Sequence, residues 1–390
     1  MVNFTFNTTA SIHHEIGGSK KLGELVSDMS SVLHGSTVMF VTDPGIMKLS
    51  LANPALDSLS RAGFSIVIFD QVEADPKEQT ILDAVNLAQQ QGVLAIVGFG
   101  GGSSMDVAKL ISLLVGSQQD ISDIYGVNQA SGSRLPLVLV PTTAGTGSEV
   151  TAISIVTTGN EEKKGVVSPI LLPDIALLDA ELTVGLPPSI TAATGIDAMV
   201  HAIEAFTSNS PNNNLLSKMQ AKQALSLLSA NIEEAVFNGQ NIEARSNMLL
   251  GSMLAGQSFA NSPVAAVHAL AYPIGSLFHV PHGLSNALVL CQVMSFNAPV
   301  CHQEYASLAP FIFPDMAFLR SSESITKELV ERLFTLIQKL NLETQLSQVG
   351  IRAHDIDRLA EDAMKQTRLL VNNPRKMTLD EIKGIYSNVL

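Results

Sequence analysis

The first half of the chain alternates between short β-branched runs and stretches with helical apolar spacing. The strand-like runs are TVMFVTD, FSIVIFD, VLAIVGF and LPLVLV, and helical patterns such as PKEQTILDAVNLAQQQG separate them. This alternation is typical of a parallel sheet with helices on both faces. Residues 1–187 are therefore predicted to form an α/β domain.

After Pro187 and Pro188 the pattern changes to long stretches rich in Ala, Leu and Met. The clearest are NNLLSKMQAKQALSLLSANIEEAVF, EARSNMLLGSMLAGQSFA and SITKELVERLFTLIQKL. They carry few strand signals, so residues 188–390 are predicted to form an all-helical domain.

At the other end of the chain, NFTF and SIHHEIGG predict a short hairpin. An isolated hairpin is marginal in water, so we expect it to pair with the sheet or with a second subunit.

Composition excludes several classes of partner. The 390 residues are 46% apolar and 15% charged, and 23 basic against 36 acidic side chains give a net charge of −13. This balance argues against binding to nucleic acid or to an anionic membrane. We expect no membrane-spanning run and no signal peptide. Only Cys291 and Cys301 occur, so we expect free buried thiols and a cytoplasmic location.

Four polar side chains stand in apolar, nearly uncharged sequence of the second half. Asp197 and His201 lie four residues apart in GIDAMVHAIEAF, so both leave one face of a predicted helix. His268 falls on another predicted helix, for which Ser262 is the expected N-cap. His282 stands at a tight turn before LSNALVL.

One carboxylate and three imidazoles form a donor set that suits Fe(II), Zn(II), Co(II) or Ni(II). Each histidine alone is more often a hydrogen-bonded core residue, and Asp197 with His201 could be a simple helix ion pair. Together they are harder to explain structurally, because each unpaired buried polar group costs about 1–3 kcal/mol. The set favours a metal site, in which a five-coordinate centre or a weakly held ligand would leave room for substrate.

Two loops of the first half have the composition of phosphate-binding loops. Residues 98–103, GFGGGS, follow a strand and open the helix SMDVAKLISLLV, which Ser103 is placed to cap. A serine occupies the third glycine position of the dinucleotide fingerprint, so a packing turn is the alternative. Residues 141–149, PTTAGTGSE, contain four hydroxyls and two glycines, which is more than a turn requires.

Asp43 ends the strand-like run TVMFVTD, where an acid can accept hydrogen bonds from an adenosine ribose. An acid at this point disfavours a 2′-phosphate, so NAD is predicted in preference to NADP. The alternative for Asp43 is an Asx-type turn with Pro44 and Gly45.

The motifs GGGSSMDVAK, PTTAGTGSEVT, GIDAMVHAIEAF and HALAYPIGSLFHVPHG, in this order, resemble the iron-containing (group III) alcohol dehydrogenases. The resemblance covers essentially the whole chain, including the final NNPRKMTLDEI. It implies a dehydroquinate synthase-like architecture, with an N-terminal dinucleotide-binding domain and an all-helical metal-binding domain. It also implies a homodimer formed through the N-terminal segment and activity as an oxidoreductase, an alcohol dehydrogenase.

The resemblance also implies roles for individual residues. The metal ligands would be Asp197, His201, His268 and His282, with Fe(II) as the metal and Zn(II) as second choice. The residues that hold NAD, besides Asp43, would be Gly100, Gly101, Gly102, Ser103, Asp106, Thr142, Thr143, Thr146 and Lys163. Many members have a second histidine four residues after the third ligand, and here that position is Tyr272. Proton transfer is therefore expected through water, the ribose hydroxyls or Tyr272. His279 is a possible substitute, for which a structural role in the FHVPHG loop is the alternative.

The predicted reaction is hydride transfer between nicotinamide C4 and a small neutral primary alcohol or aldehyde, with the metal as Lewis acid. The only basic residues between positions 188 and 300 are Lys218, Lys222 and Arg245, all in stretches that we expect to be solvated. A phosphorylated or dicarboxylate substrate would need converging cations.

Three alternatives remain open. A maleylacetate reductase-like acid reductase would need a cation near the substrate, which Arg375 could supply. A dehydroquinate synthase-like lyase would need several. A non-catalytic, scaffolding member of the family would be expected to have lost metal ligands, and all four are present.

Overall fold

A computed structural model describes residues 3–159, 162–317 and 321–390 of the chain. By their contacts these residues form two compact units. The sheet-containing unit comprises Asn7–Thr143 and Gly147–Val184. The helical unit comprises Gly185–Leu390, the short segment Ala144–Thr146 and the N-terminal residues up to Phe6. The sequence pattern predicted a single division at residues 187 and 188 and did not anticipate the two short segments.

The sheet-containing unit has nine described strands. They are β1 (Ser11–His14), β2 (Thr37–Val41), β3 (Ser65–Phe69), β4 (Val93–Gly100), β5 (Gly126–Val127), β6 (Leu137–Pro141), β7 (Ile153–Thr157), β8 (Lys163–Val167) and β9 (Ile175–Leu178). Six of them form a parallel sheet in the order β1-β9-β6-β4-β2-β3. The other three form a small sheet in the order β5-β8-β7, in which β7 is antiparallel to β8.

Helices cover both faces of the large sheet, as predicted. The helices of this unit are α1 (Leu22–Ser27), α2 (Pro44–Lys48), α3 (Asn53–Arg61), α4 (Glu78–Gln90) and α5 (Gly102–Ser117). Successive side chains of a strand point to opposite faces. Met39 and Val41 of β2 therefore join one hydrophobic core with α4 and α5, whereas Val38 and Phe40 join another with α1 and α3. Burial on both faces explains why these strands are continuously apolar.

The prediction of an N-terminal hairpin is wrong, whereas the expected pairing of this segment with the sheet is confirmed. Residues 3–10 contain no strand, and β1 pairs in parallel with β9, with Ser11 opposite Ile175 and His14 opposite Leu178. The partner of β1 lies more than 160 residues further along the chain. Local sequence carries no signal for a pairing over that separation.

The described part of the helical unit contains no strand, and its all-helical character is confirmed. Its helices are α6 (Pro188–Thr207), α7 (Leu215–Phe237), α8 (Ile242–Asn261), α9 (Ala266–Phe278), α10 (His282–Ile312), α11 (Ser322–Lys339), α12 (Ile356–Met364), α13 (Thr367–Leu370) and α14 (Leu379–Asn388). α6 is the central helix, because it packs against α7, α8 and α10 and is buried almost continuously from Gly195 to Phe206. Its position explains why GIDAMVHAIEAF is mostly apolar and contains no Lys or Arg.

α10 is long and apolar enough to cross a membrane, judged by length and composition alone, although no such run was expected. About two thirds of its most apolar window, 67%, is buried, and it packs against α6, α9 and α11. It therefore has the burial of a core helix.

Cys291 and Cys301 lie on α10 as free buried thiols, as predicted, and burial raises the pKa of each to about 12.

Candidate active site

Two of the four predicted metal ligands lie on α6. Asp197 and His201 are one turn apart and are 2% and 4% exposed. The ring of His201 stacks between Phe259, at a centroid distance of 4.3 Å, and His268, at 4.7 Å. Stacking on both faces fixes the plane of this imidazole.

His268 is the third residue of α9, which begins at Ala266. The expected N-cap, Ser262, is instead the C-cap of α8, and its hydroxyl donates to the carbonyl of Ala205 on α6. The serine thus contacts a neighbouring helix, and α9 begins three residues later than an N-cap at Ser262 would place it.

His282 is the first residue of α10 rather than part of a turn before it. The next residue, Gly283, allows α10 to approach α6 very closely. A Cβ atom at Gly283 would lie only 2.3 Å from the carbonyl oxygen of Ala193. This approach places His282 Nε2 3.7 Å from Asp197 Oδ1. The side chain of His282 remains 39% exposed, so it forms the open side of the cluster.

One potential ligand atom from each of Asp197, His201, His268 and His282 lies within 4.8 Å of all the others. The orientation of two imidazoles is set by acceptors on their Nδ1 side. His201 Nδ1 lies 3.2 Å from the carbonyl oxygen of Gly145, and His268 Nδ1 lies 2.6 Å from Glu204 Oε2. Both acceptors require hydrogen on Nδ1, which leaves the Nε2 lone pair for a metal. The donor set therefore fits a divalent ion such as Fe(II) or Zn(II).

The protonation states also suit metal binding. Burial lowers the pKa of His201 to about 3, so this imidazole is neutral. Burial acts to raise the pKa of Asp197, but the three nearby imidazoles and a hydrogen bond from Asn286 outweigh it and hold the pKa below its usual range. An ionised carboxylate beside a neutral imidazole is the form in which these side chains bind metals.

Sequence reasoning missed two residues of this centre. Glu204 follows His201 by three residues, and its other carboxylate oxygen accepts a hydrogen bond from the backbone N–H of Val267 at 2.6 Å. Asn286 follows His282 by four residues and donates from Nδ2 to Asp197 Oδ1 at 2.6 Å. Helical spacing from a proposed ligand was the available signal in both cases.

The predicted cofactor residues follow adjacent strands of the large sheet. Asp43 comes after β2, the loop of residues 98–103 begins within β4, and the loop of residues 141–149 begins at the end of β6. The chain goes from β2 outward to β3 and then returns to β4 on the other side of β2. Strand order therefore reverses between β2 and β4, which is where open parallel sheets bind their ligands.

Within the sheet-containing unit, the first residues of the two loops lie side by side. The backbone N–H of Thr142 donates to the carbonyl of Gly100 at 2.9 Å, and Thr143 lies 3.8 Å from the position of a Cβ on Gly101. The prediction that Ser103 caps α5 is wrong, since Gly101 is the N-cap and Gly102 is the first helical residue. No described side chain caps α5, so its first N–H groups are available to an anion.

Other predicted cofactor residues have intramolecular partners. Asp43 caps α2 by accepting from Ile46 N–H at 3.0 Å, so the Asx-type contact considered from the sequence is present. Asp106 accepts from Ser148 Oγ at 2.6 Å and from the N–H of Ile155 at 2.9 Å. Lys163 Nζ lies 2.7 Å from Asp75 Oδ1. Thr146 belongs with Ala144 and Gly145 to the helical unit.

The two residues considered for proton transfer have different surroundings. Tyr272 lies on α9 one turn after His268, and its ring centroid is 5.9 Å from that of His282. His279 is the C-cap of α9, has a left-handed backbone with φ of 55°, and is exposed. The structure places Tyr272 beside the imidazole of His282 and His279 at a helix end.

The expectation that Arg245 is solvated is wrong. It is 3% exposed, and its guanidinium donates to Thr191 Oγ1 at 2.7 Å and to the Gly239 carbonyl at 3.0 Å. Arg375 donates to the Phe296 carbonyl at 2.9 Å and pairs with Glu381 at 3.1 Å. These structural contacts weaken the acid-reductase alternative, which needed a cation from Arg375.

Comparison with known proteins identifies the family. Residues 10–180 match the family model described as iron-containing alcohol dehydrogenase, and residues 191–390 match the model for the C-terminal part of the Fe-containing alcohol dehydrogenase family. The chain is 37% identical over 369 residues to long-chain-alcohol dehydrogenase 1 of Geobacillus thermodenitrificans, covering 94% of this chain and 92% of the relative. It is 35% identical over 386 residues to sulfoacetaldehyde reductase of Bilophila wadsworthia, covering 98% of each.

Solved structures give the same result. A 1,3-propanediol oxidoreductase matches with a TM-score of 0.94 and 30% identity, covering 100% of both chains. Sulfoacetaldehyde reductase from Bifidobacterium kashiwanohense, in complex with NAD+, matches with a TM-score of 0.88 and 25% identity, covering 100% of this chain and 99% of that one. The chain belongs to the iron-containing alcohol dehydrogenase family, with its dehydroquinate synthase-like fold. It is an oxidoreductase, a nicotinamide-dependent alcohol dehydrogenase or aldehyde reductase that uses a metal.

Proposed function

We propose that the chain interconverts a small neutral primary alcohol and its aldehyde, with NAD as cofactor and Fe(II) as the resident metal. The observation that carries the proposal is the convergence of four ligand atoms within 4.8 Å of one another, from Asp197, His201, His268 and His282. Zn(II), which accepts the same donors, is the second choice. The matched family model, which is named for iron, supports Fe(II).

When bound, the metal supplies a Lewis acid that polarises the substrate carbonyl. The protein's part is to present the ligands in one protonation state and one orientation. Gly145 and Glu204 hold the Nδ1 hydrogens of His201 and His268, so both imidazoles direct Nε2 to the same point. The partly exposed side of the cluster, at His282, gives substrate its approach.

When bound, NAD accepts or donates the hydride. Asp43 and the loops after β4 and β6 would hold it, because they lie together at the strand-order reversal and α5 offers unpaired N–H groups there. The carboxylate of Asp43 favours NAD over NADP, and the NAD+ complex of a relative supports the same choice. Gly100, Gly101, Gly102, Ser103, Asp106, Thr142, Thr143, Thr146 and Lys163 complete the proposed set.

Tyr272 is the proposed proton relay in preference to His279. Its ring lies beside His282, at a centroid distance of 5.9 Å, whereas His279 is exposed at the end of α9. A phenol hydroxyl both donates and accepts hydrogen bonds, so Tyr272 can pass a proton to or from the substrate oxygen.

The cationic side chains of this region contact other groups of the protein, which supports a neutral substrate. Arg245 is tied to Thr191 and Gly239, and Lys218 and Lys222 lie 5.3 Å above the ring of Phe206. The 35% identity to a sulfoacetaldehyde reductase favours a sulfonated aldehyde as the second candidate. A sulfonate would need a cation or several N–H donors at the site.

The test is anaerobic reconstitution. Metal-free protein with NADH would be assayed against short aldehydes and sulfoacetaldehyde, before and after addition of Fe(II) or Zn(II). We expect reduction of the neutral aldehydes to return with Fe(II). His268→Ala should remain inactive with either metal and bind NADH as the wild type does. Binding of NADH without reduction of any aldehyde in the presence of either metal would refute the proposal.

A cytoplasmic homodimer is also proposed. β1 is an edge strand of the large sheet, and the edge of a sheet is a position at which a second copy can add a strand. Sedimentation of the purified chain would give its mass, and a monomer at micromolar concentration would refute the dimer.

A further inference from the structure

Asn286 lies in the middle of the proposed metal ligands. It is on α10, one turn after His282, and is completely buried. Its Nδ2 atom lies 2.6 Å from Asp197 Oδ1 and 3.3 Å from the Nε2 atoms of both His268 and His282. One amide nitrogen thus contacts ligand atoms from three of the four side chains.

The orientation of this amide is determined by chemistry. The amide nitrogen only donates, and the atoms around it are a carboxylate oxygen, the Nε2 atom of His268, whose hydrogen is on Nδ1, and the Nε2 atom of His282. The reversed amide would place an oxygen 2.6 Å from the Asp197 carboxylate, which is repulsive. In the observed orientation Asn286 Oδ1 is buried with no hydrogen-bond partner among the described residues. An unpaired buried acceptor is costly, so the contact with Asp197 outweighs that cost.

We infer that Asn286 is a positioning residue of the metal centre, an inference that rests on the proposed metal-dependent function. It donates an N–H group to Asp197 Oδ1 and so fixes the orientation of this carboxylate, and the same nitrogen lies 3.3 Å from the Nε2 atoms of His268 and His282. A carboxylate oxygen has more than one lone pair, so Asp197 can accept from Asn286 and bind a metal together. The longer contacts to the imidazoles are released when their lone pairs bind the metal.

The test compares Zn(II) affinity in the wild type with that in Asn286→Leu and Asn286→Ala, by competition with a chromophoric chelator. Leu keeps the volume of the side chain without its donors, and Ala serves if Leu fails to fold. We expect Zn(II) to bind about 10- to 100-fold more weakly to each variant, as for other residues that orient metal ligands. The visible spectrum of the Co(II)-loaded protein should also change, because the orientation of Asp197 at the ion is altered.

Asn297→Leu is the matched control. Asn297 is a buried amide on the same helix, but it exchanges hydrogen bonds with the amide of Asn373 at 2.9 and 2.8 Å. It should lose stability and keep wild-type Zn(II) affinity. Equal affinity in wild type and Asn286 variants would overturn the inference, as would tighter binding, because the amide would then compete with the metal. Failure of the wild type to bind Zn(II) would overturn the metal centre itself.

Discussion

Glu204 Oε2 lies 2.6 Å from His268 Nδ1, and both side chains are almost fully buried. The same carboxylate accepts from the backbone N–H of Val267, so Glu204 fixes both the ring of His268 and the start of its helix. A carboxylate in this position sets the tautomer and raises the basicity of a metal-binding imidazole. The proposed metal ligands are therefore held in place by side chains that are not themselves ligands.

Glu204→Gln should weaken metal binding about 10- to 100-fold, because the amide keeps the shape of the carboxylate and removes its charge. Metal affinity of the purified variant is the measurement. Glu234→Gln is a suitable control, since Glu234 is an exposed glutamate that accepts from Asn238 and Asn241 far along α7. Equal affinities for all three proteins would mean that Glu204 only stabilises the fold.

Gly283→Ala should destabilise the protein by about 1–3 kcal/mol, because the new methyl group would meet the Ala193 carbonyl at 2.3 Å and force α10 away from α6. Metal affinity should fall as well, since His282 and Asn286 are carried on α10. Gly384→Ala in α14 is the control, because nothing lies within 4 Å of its added Cβ. Unfolding by urea should show that change to be neutral or stabilising by up to about 1 kcal/mol. Equal stabilities of the two variants would contradict the close helix approach.

Glu149→Gln should change how stability depends on pH. Burial raises the pKa of Glu149 from 4.5 to about 7, and its Oε1 has no partner among the described residues. Because the folded-state pKa is the higher one, this carboxyl stabilises the fold below about pH 4.5 and loses that contribution as pH rises through 7. The difference between the folded-state and unfolded-state pKa lowers the free energy of unfolding by roughly 3 kcal/mol at alkaline pH.

Glutamine does not ionise, so the variant should gain stability relative to the wild type between about pH 4.5 and pH 8. Urea unfolding of both proteins at the two ends of this range measures the gain. Parallel pH profiles would show that Glu149 is ionised or solvated in the folded protein.

Asp43→Asn should shift the cofactor preference towards NADPH. Asparagine retains the cap on Ile46 N–H and removes the negative charge that would repel a 2′-phosphate. We expect the ratio of kcat/KM for NADPH to that for NADH to rise about tenfold, which corresponds to roughly 1.4 kcal/mol. An unchanged ratio would show that Asp43 does not contribute to the choice between NAD and NADP.

Local sequence was sufficient to locate the sheet, the helical half and the residues that converge at the proposed metal centre. Buried strands and helices have distinct apolar periods, and the polar ligands stand out in apolar sequence. Asn286 was missed because α10 was expected to begin after His282, which concealed the one-turn spacing between the two residues. The sequence shows Glu204 at helical spacing from His201, but it does not indicate that Glu204 contacts His268 on α9.

The remaining errors concern contacts between distant parts of the chain. The pairing of β1 with β9, the burial of Arg245 against Thr191 and the engagement of Ser262 by α6 each depend on a distant segment. Propensity and spacing describe only neighbours along the chain. Tertiary packing therefore overrode the local signal at each of these positions.

The segment Ala144–Thr146 belongs to the helical unit, although the residues on both sides of it belong to the other unit. Its Gly145 carbonyl is the acceptor that fixes the His201 tautomer, and a Cβ at Gly145 would lie 2.7 Å from Thr194 Cβ on α6. The helical half, residues 185–390, is thus incomplete without this tripeptide. A fragment cut at residue 185 would lack that carbonyl, so domain exchange between relatives would have to carry this tripeptide along with the helices.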